Sequence, residues 1–119
     1  MTEIDELEGE ELADAVALKQ GWEKVQAVYN ELWRKPSGVY PRVQDYRPDR
    51  DIAQAWELDG DGWVWYLAEA SATLYVQIDK PGPRWKRWSA AVRWDDFPTK
   101  AHAYATARCR AYLKAKEDA

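Results

Sequence analysis

Eight tryptophans and seven tyrosines against a single phenylalanine in 119 residues set the first constraint on this chain. Each large aromatic side chain buries on the order of 150–250 Å². Aromatic rather than aliphatic packing is therefore the main source of buried area. Trp22, Trp33, Trp56, Trp63, Trp65, Trp85, Trp88 and Trp94 must find a core, or a use, within one domain. A chain of this length makes one domain that buries roughly two-thirds of its unfolded surface.

The densest aromatic stretch is Pro83 to Trp94, PRWKRWSAAVRW. On a strand, side chains two apart share a face. Trp88, Ala90, Val92 and Trp94 then point one way, while Trp85, Arg87, Ser89, Ala91 and Arg93 point the other. That is a half-buried strand, apolar inward and basic outward. Trp85 does not fit, because it shares the polar face with Arg87 and Arg93 and has Arg84 beside it. Two readings are open. The ring covers the sheet edge with guanidinium groups stacked on it, or Trp85, Arg84, Arg87 and Arg93, with Tyr75 from the neighbouring strand, form a recognition site. In such a site a planar ring and two or three guanidinium groups would hold a nucleotide or an acidic partner.

The rest of the chain reads as α+β. LEGEELADAVALKQ (7–20) predicts a helix with Leu12, Ala15, Val16 and Lys19 along one side, ended by Gly21. For residues 22–34 two readings stand. Trp22, Val25, Tyr29, Leu32 and Trp33 follow helical spacing, but Val25, Val28 and Tyr29 suit a strand equally. Pro36 stops either element. A Pro-rich loop runs to Pro48, and Asp49 is the expected N-cap of a short helix over 50–58. GWVWYLAE, TLYVQID and RWKRWSAAVRW are three antiparallel strands, the first two read from strand composition and alternation. A long Ala-rich helix follows Pro98 and Thr99, with Ala101, Ala105, Cys109, Tyr112 and Leu113 expected to face the sheet. The organisation is an acidic arm (1–8) and a single domain (9–119): an antiparallel sheet of about three to four strands flanked by N-terminal and C-terminal helices, an α/β/α layered sandwich.

The net charge of −4 hides an asymmetry. Residues 1–18 hold seven acids and no base, so the remaining 14 acids against 17 bases leave +3 on the body. The arm reads as a solvated helix start. A surplus of +3 is too weak to imply a nucleic-acid binder, and no DNA-binding motif is present. The lone Cys109 rules out an internal disulfide and suits a reducing compartment. No run of 18 apolar residues exists, and the N-terminus is acidic where a signal peptide is basic, so a cytoplasmic location and no membrane association are expected.

Catalytic and metal motifs do not emerge. His102 is the single histidine, expected on or near a helix surface, and Cys109 falls on the buried side of its helix. One His and one Cys cannot complete a zinc site of four protein ligands. Asp59-Gly60-Asp61-Gly62 lacks the later ligands of a calcium loop, since Trp63 takes the next position and no Glu stands at the twelfth. It reads as a turn. Asp95 and Asp96 favour the dipole of the last helix. No cofactor, metal or enzymatic activity is expected.

Three stretches taken together, LADAVALKQGW (12–22), YRPDRDIAQAW (46–56) and ARCRAYL (107–113), resemble the phage ABA sandwich domain family. Tyr46, Asp51, Ile52, Ala53, Ala55, Trp56, Cys109, Arg110, Ala111 and Leu113 carry the match. Arg47-Pro48-Asp49-Arg50 replaces the compact Ser-Thr turn usual there. The resemblance implies a layered α/β/α fold, a phage or prophage origin, and no established reaction. With it, the expected function is a non-enzymatic accessory protein that binds a host component in the bacterial cytoplasm, a counter-defence inhibitor of a host defence protein. The alternatives are a protein that sequesters a nucleotide-like small molecule on the Trp/Arg face, and a virion assembly or structural component. A homo-oligomer is expected, because so small a Trp-rich domain otherwise leaves aromatic patches exposed.

Overall fold

The computed structural model describes residues 3–38 and 41–118. Its first helix, α1 (Gly9–Lys19), ends as expected. Gly21 takes the left-handed conformation (φ +82°). The amides of Gly21 and Trp22 donate back to the carbonyls of Leu18 and Ala17 at 3.0 and 3.2 Å, a Schellman closure that needs a residue without a Cβ penalty. Leu12, Ala13, Val16 and Ala17 are the buried side of α1, and Lys19 faces solvent. The acidic arm is not purely solvated. Ile4 and Leu7 pack on the core, Asp5 pairs with Lys114 at 2.8 Å, and the Leu7 carbonyl accepts from Arg110 at 3.0 Å.

Residues 22–34 resolve against the helix. They form a hairpin of β1 (Glu23–Gln26) and β2 (Glu31–Arg34), with Val25 opposite Leu32 and Lys24 opposite Trp33. Its turn is closed by Ala27 N–H donating to the Asn30 carbonyl at 2.8 Å. Cross-strand pairing and the turn at Asn30 outweigh the helical spacing, and the same register buries Trp33. The expected cap of the next helix moves as well. α2 (Ile52–Trp56) is capped by Asp51, whose side chain accepts from the amides of Ala53 and Gln54. Asp49 is instead buried and held by Arg47 at 2.9 Å.

The three expected strands form one antiparallel sheet in the order β3 (Val64–Ala70), β4 (Thr73–Lys80), β5 (Lys86–Arg93). Trp65, Ile78 and Trp88 stand in register, as do Leu67, Val76 and Ala90, and Glu69, Leu74 and Val92. These residues share one face. Leu74, Val76, Ile78, Ala90 and Val92 are its buried centre, and burying each aliphatic side chain contributes about 1.5–3 kcal/mol. Trp88 and Trp94 pack against the same cluster, half-buried, as the alternation predicts.

The last helix, α3 (Lys100–Asp118), starts at Thr99, whose hydroxyl accepts from the His102 amide at 3.1 Å. Its sheet-facing stripe is two positions from the expected one, roughly the opposite side of the helix, and Ala105 is buried without joining the sheet cluster. Ala103, Ala107, Ala111 and Ala115 lie against β4 and β5, while Cys109, Tyr112 and Leu113 face α1, Trp22 and Trp33, and Ala101 is exposed. The reason is that α3 is buried on nearly every side, so small residues on one face approach the sheet while larger ones on the other meet α1. The molecule is α+β, with N-terminal and C-terminal helices packed against antiparallel strands. α3 lies between the sheet and α1, and the outer face of the sheet has no helix over it among the described residues.

Candidate functional site

The outer face is built by the same register that makes the core. Val64, Tyr66, Ala68 and Ala70 of β3 lie beside Asp79, Gln77, Tyr75 and Thr73 of β4, which lie beside Arg87, Ser89, Ala91 and Arg93 of β5. Tyr66 and Tyr75 are 49% and 44% exposed, on diagonal positions of adjacent strands. With Ala68 and Ala91 beside them, they make a flat apolar patch. Isolated surface aromatics need no explanation, but a contiguous set on an uncovered sheet face does.

Not all sequence-selected residues join this patch as a recognition site. Tyr75 sits at its centre. Arg87 and Arg93 are on the same face, but six positions apart on one strand, about 20 Å at 3.3 Å per residue, so they cannot grip one small anion together. Each is also engaged internally. Arg87 donates from Nε and a terminal nitrogen to the two carboxylate oxygens of Asp79 at 2.9 and 3.2 Å. Arg93 does the same with Asp95 at 3.2 and 3.0 Å. The Arg87 hydrogen bonds hold the Asp79 carboxyl below the usual carboxylate range, and Arg93 lowers Asp95 in the same way. Trp85 lies just outside β5 and is 56% exposed. The two arginines are therefore a rim of neutralised ion pairs around an aromatic patch.

Arg84 belongs elsewhere. It lines a cleft of about 530 Å³ at the β4–β5 hairpin, with Trp63 and Trp88 as aromatic walls and Lys80 and Lys86 beside it. The two indole rings lie 6.1 Å apart at 45°, too close for a base to slide between them, so a planar ligand would have to stack on one exposed side. Trp63 is fixed in place: a Cβ on Gly60 would lie 2.3 Å from its ring, and the Tyr112 ring meets it edge-on at 5.9 Å. Lys86 is shared with Asp118 at 3.5 Å. Arg84 and Lys80 make no ion pair among the described residues.

Sequence reasoning missed Arg108. It is buried, with its guanidinium 3.6 Å from the Trp65 ring and 4.4 Å from the Trp56 ring. It donates to the carbonyls of Ala55, Leu58 and Trp56 at 2.6, 2.9 and 3.3 Å. These are carbonyls at the end of α2 and just beyond it, of which that of Ala55 also accepts from the Leu58 amide at 3.2 Å, so Arg108 ties that helix and β3 to α3. Burial pulls its pKa down to about 10, which leaves it charged at neutral pH. Its remaining terminal nitrogen is buried without a partner. Arg108 falls on the buried side of a helix of small residues, whereas Arg110, two positions on, is half-buried.

The reactive side chains are placed for structure. Cys109 is fully buried, and burial pushes its thiol well above the usual value, which removes it as a nucleophile. His102 is half-buried against the Phe97 ring at 5.2 Å. Asp59 closes its own turn by accepting from the Gly60 amide at 2.8 Å and from the Trp65 indole at 3.1 Å. Among the described residues no three or more His, Cys, Asp or Glu side chains gather as metal ligands, and no helix is long and apolar enough to cross a membrane.

The three stretches that carry the family resemblance meet in space. The Tyr46 ring packs tilted at 52° against Trp22, 4.5 Å between centroids, and its hydroxyl accepts from Gln20 at 2.8 Å. The Thr106 hydroxyl, one residue before the third stretch, donates to the Asp49 carbonyl at 2.8 Å, and Arg108 holds the end of α2. They are the packing frame of the domain rather than its exposed patch. No family model, curated protein or solved structure matches the chain.

Proposed function

We propose that this chain is a non-catalytic binding protein that engages a protein partner through the outer face of its three-stranded sheet. In the setting the resemblance implies, it is a phage-encoded accessory factor acting on a host component, and inhibition of a host defence protein is the role that setting favours. The observation that carries the reading is the uncovered patch around Tyr66 and Tyr75, rimmed by the Arg87–Asp79 and Arg93–Asp95 pairs. Tyrosine on a rigid sheet offers large contact area at low entropic cost, and an apolar centre within a charged rim is the anatomy of a protein interface. The carboxylate of this face, Asp79, is committed to Arg87.

The test is reconstitution. A partner enriched from bacterial host extract is purified and mixed with the protein, and the complex is measured by calorimetry. Tyr66→Ala and Tyr75→Ala are each expected to weaken it by about 2 kcal/mol, roughly thirty-fold, as central aromatic contacts do. A complex indifferent to both substitutions overturns the reading, and so does turnover of a substrate by the purified protein.

One observation favours a second reading. The hairpin cleft combines the Trp63 and Trp88 rings with Arg84 and Lys80, the chemistry that holds a nucleotide by stacking and charge. Nucleoside mono- and triphosphates are the probes. Binding that Arg84→Ala abolishes and Arg87→Ala leaves intact would place the ligand there, whereas no binding by either nucleotide removes this reading.

A further inference from the structure

The sheet's other unfinished feature is an edge, and its best occupant is a second copy of this chain. β3 is the outermost strand, paired only with β4. All of its residues are exposed except Trp65, which is half-buried. Leu67, on the core side of the sheet, is still 42% exposed and belongs to neither core cluster. An edge strand offers a row of unpaired backbone donors and acceptors, and proteins that must stay monomeric blunt such edges with lysine, proline or a bulge. VWYLAEA has none of these, and its pairing with β4 is continuous from Val64 to Ala70. Its single charge, Glu69, is bonded to Lys100 at 2.6 Å.

We infer that two copies pair antiparallel through β3 about a two-fold axis at Leu67, joining two three-stranded sheets into one of six strands. The register follows from self-complementarity. With the axis at Leu67, Tyr66 lies opposite Ala68 of the second copy, Val64 opposite Ala70, and Trp65 opposite Glu69. Val64 and Tyr66 meet alanines, Leu67 meets itself at the axis, and no like charges face each other. The tight Ser71-Ala72 turn between β3 and β4 leaves that end of the strand clear. The overlap is a single strand of seven residues, below the area of a standard interface, which places the dimer in the weak, concentration-dependent class. This pairing does not rest on the partner-binding reading, since it uses the edge and leaves the outer face free.

A charge-swap at the axis tests it by sedimentation velocity of the full chain, from low micromolar to near-millimolar concentration. Wild type is expected to shift from monomer to dimer. Leu67→Lys and Leu67→Glu each place like charges opposite each other, and each should be monomeric throughout. Their equimolar mixture should dimerise again, because only at the axis does residue 67 face itself. Hydrogen exchange of the wild type needs no variant: amides 64–70 should gain protection with concentration while amides 86–93 do not. The pairing is overturned by a wild type that stays monomeric, by a dimer indifferent to both variants, by a mixture that stays monomeric although both variants melt like wild type, or by protection of 64–70 that does not change with concentration.

Discussion

On its β5 side the three-stranded sheet is covered by α3, and the Lys114 ammonium donates to the Ser89 carbonyl at 2.8 Å. The strand ends there are charged, at Lys86, Arg87 and Arg93. On its β3 side a strand of the same sheet is exposed along nearly its whole length and carries one charge in seven residues. The two faces differ in the same sense. Leu74, Val76 and Ile78 are sealed under alanines of α3, while Tyr66 and Tyr75, on the opposite face of the same sheet, are about half exposed. One hydrogen-bonded unit thus has a finished side and an open side. Folding accounts for the finished side. The open side is where the contacts proposed above with another molecule would lie.

The largest expected effect that sharpens this contrast involves two tryptophans three residues apart. Trp88 packs on the sheet cluster and its indole donates to Asp118 at 3.0 Å. Trp88→Ala is therefore expected to cost about 3 kcal/mol, the low end for a large aromatic truncation because the ring is only half-buried. Trp85 packs on neither core cluster, and Trp85→Ala should stay within ~0.5 kcal/mol, like other surface changes. Thermal unfolding of the two variants checks both. Equal losses would mean that Trp85 is core and that the open side begins further along the chain.

A smaller effect comes from the rim. Arg87 holds the Asp79 carboxyl below its usual range. A carboxyl lowered in the folded state adds stability that is present above its unfolded pKa, about 4, and that is lost as pH falls through the folded value. Arg87→Gln should lower stability at neutral pH, and the gap from wild type should close on acidification below pH ~4. Denaturant midpoints across that range read it directly. A gap independent of pH would mean that the pair contributes only packing.

How far the sequence could be read follows from which interactions are local. The alternation in TLYVQID and RWSAAVRW is a local pattern, and it placed Leu74, Val76, Ile78, Ala90 and Val92 inward and Tyr75 outward. Residues 22–34 were ambiguous because Trp22, Val25, Tyr29, Leu32 and Trp33 satisfy a helical period as well as a strand propensity. Only pairing with a partner strand decides between them. Arg87 looked available for a ligand because its partner, Asp79, faces it across the hairpin register rather than beside it in sequence. Arg108 was overlooked for a related reason: its acceptors lie 50 to 53 positions earlier in the chain. Tyr75, Arg84, Arg87, Arg93 and Trp85 were chosen as one site; the fold divides the first four among a patch, its rim and a separate cleft, and leaves Trp85 exposed just outside β5.

The division between a finished and an open side can be tested at two neighbouring residues on opposite faces of β4. Val76 is fully buried beneath α3 and Tyr75 stands on the outer face. Val76→Lys and Tyr75→Lys carry the same new charge, so thermal unfolding isolates the face. The account predicts that Val76→Lys fails to fold, or melts far below wild type, because it buries an unpaired ammonium. Tyr75→Lys should melt within a few degrees of wild type. If Tyr75→Lys unfolds the protein as thoroughly as Val76→Lys, the outer face is part of the core and the open side does not exist.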